Sequence, residues 1–485
     1  MSALLPVLHI FSKVLMLFAF AFLLPLGVSL ALDDGAERAY DEAILITFFS
    51  GMALWLVSRR GKRELHTRDG FLLVVLIWAL LPVFSAIPLL VYMPDLPFNE
   101  AYFEAVSGLT ATGATVLSGL DDLPPSINIW RAQMHWIGGM GVIVLVVAVL
   151  PMLGVGGRQL FKAETPTPMK DSKLTPRMAE TAKGLWVVYA LITVVCMLAL
   201  WAGGMNWIDA VVHGFSVMGL GGFSSHDASM GYFDSLQLEL IVMFFALVAG
   251  ISFSTHFMAF RMKSLLAYRL DAELPWFLGV LAVSSVGLAG YLLYKGFYLD
   301  FAEALRYAAF NTVSVATTLG FSNTDYNVWP YFAPLWMLFL SSFAACSGST
   351  GGGIKMMRAM LLVKQLYREL IKLIHPSAEV HTKIGSQVVP SKVIYAVLAF
   401  LFVYVASIVS LTFVLSASGL DIFTSFTAIV AMVNNTGPGL GQVGPASTYA
   451  VLNDFQTWVC SFAMLLGRLE FFTLLVVLTP VFWRK

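Results

Sequence analysis

The sequence predicts an all-α polytopic membrane protein, built as four pseudo-fourfold repeats of span, re-entrant pore loop and span around one ion pore, with two further spans at the N-terminus. Three observations carry that prediction: the apolar excess of the chain, a short glycine-ended segment that recurs four times, and a strict alternation of basic and acidic connections.

The chain has 485 residues, of which 58% are hydrophobic and 12% charged, with a mean hydropathy of +0.80. A soluble chain of this length needs a far more polar surface, so membrane lipid must cover the excess. The formal net charge is zero, which supplies no basic field for a nucleic-acid partner. Cys196, Cys346 and Cys460 sit in apolar or small-residue context without metal-ligand spacing, and so indicate neither a disulfide framework nor a zinc site. The first apolar run, Leu4 to Leu32, is too long for a secretory signal and reads as a retained membrane helix.

Segments apolar enough to span lie near 4–31, 43–58, 70–93, 128–153, 184–203, 234–260, 275–295, 331–374, 392–416 and 453–481. A span needs roughly 20 residues, so 43–58 is marginal and 331–374 is about twice the required length. Trp130, Trp207, Trp329, Tyr331 and Trp458 near span ends read as interfacial anchors. Alternate connections are rich in Lys and Arg, for example Arg59, Arg60, Lys62, Arg63 and Arg68, then Arg158, Lys162, Lys170, Lys173, Arg177 and Lys183. The intervening ones, 32–42, 94–131, 204–233, 296–330 and 417–452, lean acidic. The positive-inside rule then makes the basic set and both termini cytoplasmic, in a multi-pass inner-membrane protein. The expected organisation is 1–69 for two N-terminal transmembrane helices and 70–175, 176–270, 271–385 and 386–485 for the four repeats. Repeats of this length point to internal duplication rather than a solenoid.

All four short segments fall in the acidic connections: Phe103 to Gly113, His213 to Gly222, Phe310 to Gly320 and Phe426 to Gly437. SVMGLGGFS (Ser216 to Ser224) aligns without a gap against SVATTLGFS (Ser314 to Ser322), and Ser107 to Gly113 keeps the same spacing. A cation in a pore must exchange its water shell for oxygens, and backbone carbonyls of an extended strand can supply them when protein shields that strand from lipid. Glycine accepts φ > 0 and lets neighbouring carbonyls turn to the axis. A short helix ending at the pore centre adds the negative end of its dipole. The oxygens expected to hold the ion belong to Ala111 and Thr112, Leu220 and Gly221, Thr318 and Leu319, Asn435 and Thr436, flanked by Gly113, Gly222, Gly320 and Gly437. Thr110, Gly219, Thr317 and Asn434 form the next layer inward.

These residues also carry a family resemblance. SVMGLGGFS, SVATTLGFSNTD, NNTGPGLGQVGP and SGSTGGGIK resemble the Trk/Ktr/HKT superfamily of potassium transporters, and specifically its TrkH-type subunit, over essentially residues 70–485. The two extra N-terminal spans fit that type better than the shorter KtrB type. The resemblance implies a non-enzymatic, channel-like K⁺ uptake pore, a homodimer, and a cytosolic TrkA-type ring of nucleotide-binding domains. K⁺ is the only ion or cofactor implied. One filter glycine per strand, against two in a TVGYG loop, implies selectivity for K⁺ over Na⁺ that is real but weaker than in a dedicated potassium channel.

Two gate elements follow. The over-long segment 331–374 is interrupted by AACSGSTGGG, Ala344 to Gly353, where Gly348, Gly351, Gly352 and Gly353 disfavour a helix by about 1 kcal/mol each relative to alanine. Irregular backbone at that depth survives only against protein or a water-filled cavity. Beneath the filter it would obstruct the path; the plainer alternative is a packing loop. Arg468, within LLGRLEFF in the middle of the last expected span, costs about 2.5–3.5 kcal/mol on insertion scales unless it faces a pore or a partner. Glu470 points to a different helix face and would pair only with another helix. An inward Arg468 is the electrostatic barrier that the resemblance implies; a buried ion pair is the other reading. Two rival functions remain. A secondary symporter coupled to H⁺ or Na⁺ would have midplane sites on broken helices, but its repeats would be inverted, whereas these share one orientation. A membrane enzyme would need an acid–base or metal cluster, and the eight histidines show no such spacing.

Overall fold

A computed structural model describes residues 4–59, 66–148, 174–385 and 387–484. The basic positions Arg60, Lys62, Arg63, Arg158, Lys162, Lys170 and Lys173 lie outside the described residues, as do 149–153 of the fourth expected span and most of the boundary between the first two expected repeats. The all-α polytopic architecture read from the sequence is the one observed. Among the described residues the only strands are a two-residue hairpin, β1 (Lys383–Ile384) paired antiparallel with β2 (Gln387–Val388).

The N-terminal pair comprises α1 (Leu5–Phe18), continued through a 3₁₀ turn into α2 (Leu23–Leu32), and α3 (Glu37–Ser58). The marginal span at 43–58 becomes a full one because the helix starts at Glu37, taking its polar first turns into the 22-residue element. Phe11, Leu15, Tyr40 and Ala43 bury the contact between α1 and α3.

Four times thereafter the chain runs through a long helix, a short helix, a glycine strand and a second long helix. The first pass uses α4 (Thr67–Ser85) with α5 (Ile87–Tyr92), α6 (Phe98–Leu109) and α7 (Pro125–Ala148). The second uses α8 (Leu174–Ala202), α9 (Trp207–Gly219) and α10 (Leu236–Gly250), followed by α11 (Phe253–Met262) and α12 (Leu266–Leu270). The third uses α13 (Leu274–Tyr294), α14 (Phe301–Ala316), α15 (Phe332–Ser341) and α16 (Met356–Ile374). The last uses α17 (Ser391–Ala417), α18 (Ile422–Asn434), α19 (Asp454–Arg468), α20 (Phe472–Leu478) and α21 (Pro480–Trp483). Among the described residues, six helices are long and apolar enough to cross a membrane, or eight if each bent pair counts as one span. Their outward faces expose large apolar side chains such as Phe244, Val283, Val286, Phe402 and Phe413, as lipid contact requires.

The short helices start earlier than their apolar cores. Side chains of Asn206, Asp300 and Asp421 accept the backbone N–H of Asp209, Glu303 and Thr424, so a polar first turn precedes each apolar run. Trp130 and Trp329 are not interfacial anchors: both are buried, and Trp130 packs on Phe22 and donates its indole N–H to the Ser85 carbonyl.

Two further corrections concern the second long helix of the second and last passes. The segments 234–260 and 453–481, expected as continuous spans, bend by 91° after Gly250 and by 116° after Arg468. Arg468 therefore ends its helix rather than sitting mid-span. After Gly250 the chain is extended at Ile251. After Arg468 the consecutive residues Glu470 (φ 51°) and Phe471 (φ 56°, ψ -63°) both have positive φ, which non-glycine residues adopt only at a cost of order 1–3 kcal/mol each. In the third pass the break opens at Ser342, two residues before the glycine-rich stretch, and closes at Lys355 (φ 77°).

Candidate ion path and the loop beneath it

All four short helices end the same way. The N–H groups of Thr112, Gly221, Leu319 and Thr436 return to the carbonyls of Ser107, Ser216, Ser314 and Ala431 at 2.8–3.0 Å. Those of Ala111, Leu220, Thr318 and Asn435 return to Gly108, Val217, Val315 and Met432 at 3.0–3.1 Å. This pair of bonds is the Schellman stop, normally made with glycine in the left-handed position. Here Ala111 (φ 51°), Leu220 (φ 52°), Thr318 (φ 66°) and Asn435 (φ 52°) occupy it. Ala111, Leu220 and Thr318 rarely adopt that conformation, so the same stop recurs at all four equivalent positions despite its cost at three of them.

In each strand the glycine two residues further on also has positive φ: 84° at Gly113, 82° at Gly222, 86° at Gly320 and 90° at Gly437. These four glycines close a ring. A Cβ on Gly113 would lie 1.9 Å from the Gly221 carbonyl oxygen, and one on Gly222 would lie 2.3 Å from that of Leu319. A Cβ on Gly320 would lie 2.4 Å from the Thr436 oxygen, and one on Gly437 would lie 2.7 Å from that of Thr112. The order first, second, third, fourth and back to first leaves no gap. The structure thus brings together Gly113, Gly222, Gly320 and Gly437 with the carbonyls of Thr112, Gly221, Leu319 and Thr436. Ala111, Leu220, Thr318 and Asn435 sit one residue further in, and the Asn435 side chain bridges the Thr112 hydroxyl and the Met464 carbonyl. Of the layer beyond, the hydroxyls of Thr110 and Thr317 bond back to their own helices, and the Asn434 amide turns sideways to Ser341, Ser342 and Tyr404. The polar side chains of that layer are thus engaged by their own helices and neighbours.

The ring glycines form the floor of a cavity of about 270 Å³ walled by the loops that follow each strand. Two polar groups at this mouth escaped the sequence reading. Arg131, fully buried at the wall, pairs with buried Glu104 at 2.8 Å and lies over the Phe223 ring. Glu104 in turn accepts from the Thr115 hydroxyl and the Val116 N–H, so the pair holds the strand just past Gly113. An isolated charge in each of two apolar segments was the available signal. At the rim, His226 presents Nδ1 to Asp121 and Nε2 to Asp209, joining the loops of the first two passes.

On the other side of the ring, residues 342–355 form a buried irregular loop. Its Gly352 N–H donates to the Thr318 hydroxyl at 3.0 Å, and the Thr350 hydroxyl donates to the Met218 carbonyl at 3.1 Å. A Cβ on Gly352 would lie 1.9 Å from the Asn434 oxygen and one on Gly351 2.9 Å from the Thr317 oxygen. A Cβ on Gly139 of α7 would reach the Thr350 methyl at 3.2 Å. The loop therefore touches all four passes, at the short-helix ends of the second, third and fourth and at α7 of the first. Gly353 (φ 77°) packs on the carbonyls of Ser341 and Ser342. Gly348 lies apart from this centre, at the α10–α11 break, where Cys346 N–H donates to Gly250 and Phe253 N–H donates to Gly348.

The Arg468 guanidinium is buried against this loop, donating to the carbonyls of Thr350 (3.1 Å) and Gly138 (3.0 Å), with the Trp78 ring 5.7 Å away. Among the described residues it pairs with no carboxylate. Glu470 instead pairs with Arg358 of α16 at 2.6 Å.

A protein-family model described as TrkH, Cation transport protein, matches residues 37–484. The chain is 45% identical over 485 residues to the Trk system potassium uptake protein TrkH of Halomonas elongata, covering 99% of each. It is 43% identical over 478 residues to the protein of that name in Escherichia coli K12, covering 98% of this chain and 99% of the relative. The crystal structure of the potassium transporter TrkH from Vibrio parahaemolyticus superposes with a TM-score of 0.91 at 41% identity, covering 99% of both chains. The chain belongs to the TrkH family.

Proposed function

We propose that this TrkH-family chain is a potassium-uptake pore whose selectivity filter is the closed ring of strands at Thr112–Gly113, Gly221–Gly222, Leu319–Gly320 and Thr436–Gly437. That ring is the observation that carries the reading. Its carbonyls replace the ion's water shell, and four short helices direct their C-terminal dipoles, each about half a negative charge, toward the same point. Relatives of this length and identity are named for potassium uptake. Each repeat contributes one long helix, one short helix with its strand, and a second long helix, which supports the fourfold division of residues 70–485.

The connections on the side of the cavity carry Asp121, Asp122, Asp227 and Asp325, while the chain at the far ends of the spans carries Arg261, Lys263, Arg269, Lys364 and Arg368. Positive residues favour the cytoplasm, so the mouth faces outward and both termini inward. Membrane potential then drives K⁺ in, at about 2.3 kcal/mol per charge per 100 mV. The loop at 342–355 and Arg468 form the closed gate. A second copy of the chain and a cytosolic nucleotide-binding subunit complete the assembly, since the basic inner loops offer such a partner a surface.

Rubidium flux into proteoliposomes tests this. A channel-like pore follows the electrochemical gradient of the ion alone. Uptake that requires an imposed proton or sodium gradient would replace the pore with a symporter.

A further inference from the structure

The two ends of the gate loop converge on a single carboxylate. Glu273, 2% exposed, precedes α13, and its Oε2 accepts the Ser347 N–H at 2.8 Å and the Met357 N–H at 3.1 Å. Ser347 lies in the entry of the loop. Met357 lies in the first turn of α16, where backbone N–H groups have no helical acceptor and the dipole favours a negative charge. Glu273 is itself fixed from behind. Its own N–H donates to Asp271 Oδ1 at 2.9 Å, and Asp271 Oδ2 accepts the Thr255 hydroxyl of α11 at 2.7 Å.

We infer that Glu273 is the positioning residue that sets the closed state of the loop, stapling its entry to its exit and tying both to the inner leg of the second repeat. The inference rests on the gate reading of residues 342–355. Swinging Gly351 and Gly352 out from under the helix ends requires the chain to pivot about its two fixed points. With both N–H groups on one oxygen the pivots move together, and the loop returns to the path. Any displacement of α11 or α13 is passed through Asp271 and Glu273 to the loop base, which gives the inner face of the protein a mechanical route to the gate.

The test is basal rubidium leak through purified full-length protein in proteoliposomes, read beside its melting temperature. Glu273→Ala is expected to raise leak about ten-fold, the population shift that follows loss of a hydrogen bond to a charged group. Glu273→Gln keeps an oxygen where Oε2 sits and is expected to return leak close to the wild-type level. Glu273→Asp keeps the charge but retracts the oxygen, and leak should lie between; it carries the test if the alanine variant does not fold. Deleting Ser347 to Gly352 should raise leak, and in that deleted background Glu273→Ala should add nothing further. If the deletion leaves leak unchanged, the gate reading itself fails. If the deletion raises leak while Glu273→Ala, or Glu273→Asp in its place, stays at the wild-type level, the positioning role is overturned. A lower melting temperature in both Ala and Gln variants with unaltered leak would likewise reduce Glu273 to a packing residue.

Discussion

Arg468 Nη1 donates to the carbonyl of Thr350 at 3.1 Å, joining the end of the last repeat's second helix to the middle of the third repeat's loop. The same guanidinium holds Gly138 of the first repeat through Nη2. One cation thus fastens the loop in place and sets a positive charge beside the proposed path.

Removing that charge should open the path. At an effective dielectric near 20, a unit charge 4–8 Å from a passing ion repels it by about 2–4 kcal/mol. Arg468→Ala should therefore raise K⁺ flux by at least about ten-fold, with Arg468→Lys retaining much of the block. Flux and melting temperature measured on the same preparations decide the matter, and a slower, destabilised Arg468→Ala would contradict the barrier.

The loop can be tested on its own. Deleting Ser347 to Gly352 should leave a conducting protein with raised basal flux, because the backbone beneath the helix ends is gone. Gly352→Ala should act in the same direction more weakly, since its Cβ would lie 1.9 Å from the Asn434 oxygen and push the loop away. Unchanged flux in folded variants would make the loop a packing element.

At the rim, His226 gives a pH dependence of stability. Burial disfavours its charged form, but hydrogen bonds to Asp209 and Asp121 and their negative charges outweigh that and raise its pKa above the ordinary 6.5. Only the imidazolium donates to both carboxylates. The stabilisation is complete below the ordinary value and is lost as pH rises through the raised one. Asp121 is shifted the opposite way: burial opposes ionisation, yet the His226 bond lowers its pKa, so its share is lost only as pH falls through that lowered value. Melting temperature should fall on moving from pH 6 to pH 9, and His226→Gln should flatten that change. An equal slope in both proteins would show that the clasp contributes nothing.

The four glycine-ended strands were legible because glycine and serine recur at fixed spacing. In the gapless pair the match is structural as well, with Ser216 bonding the Phe223 carbonyl and Ser314 the Phe321 carbonyl, each at 2.6 Å. The loop was legible from its glycines. The helix break after Arg468 was not, because Glu470 and Phe471 carry no turn signal and reach positive φ only under tertiary constraint. The 91° bend after Gly250 was hidden for a related reason: one glycine in an apolar run is tolerated in helices, and here the neighbouring loop supplies the partners that let it break. Glu104 and Arg131 gave only the signal of an isolated charge in an apolar segment, and Glu273 gave none, because its partners Ser347 and Met357 lie 74 and 84 residues away.

The most direct test of the proposed selectivity filter is the reversal potential of Gly113→Ser between K⁺ and Na⁺ solutions. Gly113 has φ 84°, and its Cβ would fall 1.9 Å from the Gly221 oxygen, so a side chain must displace the carbonyls on both sides of that contact. Na⁺ permeability relative to K⁺ is expected to rise clearly. An unchanged permeability ratio in a folded, conducting Gly113→Ser protein would contradict it.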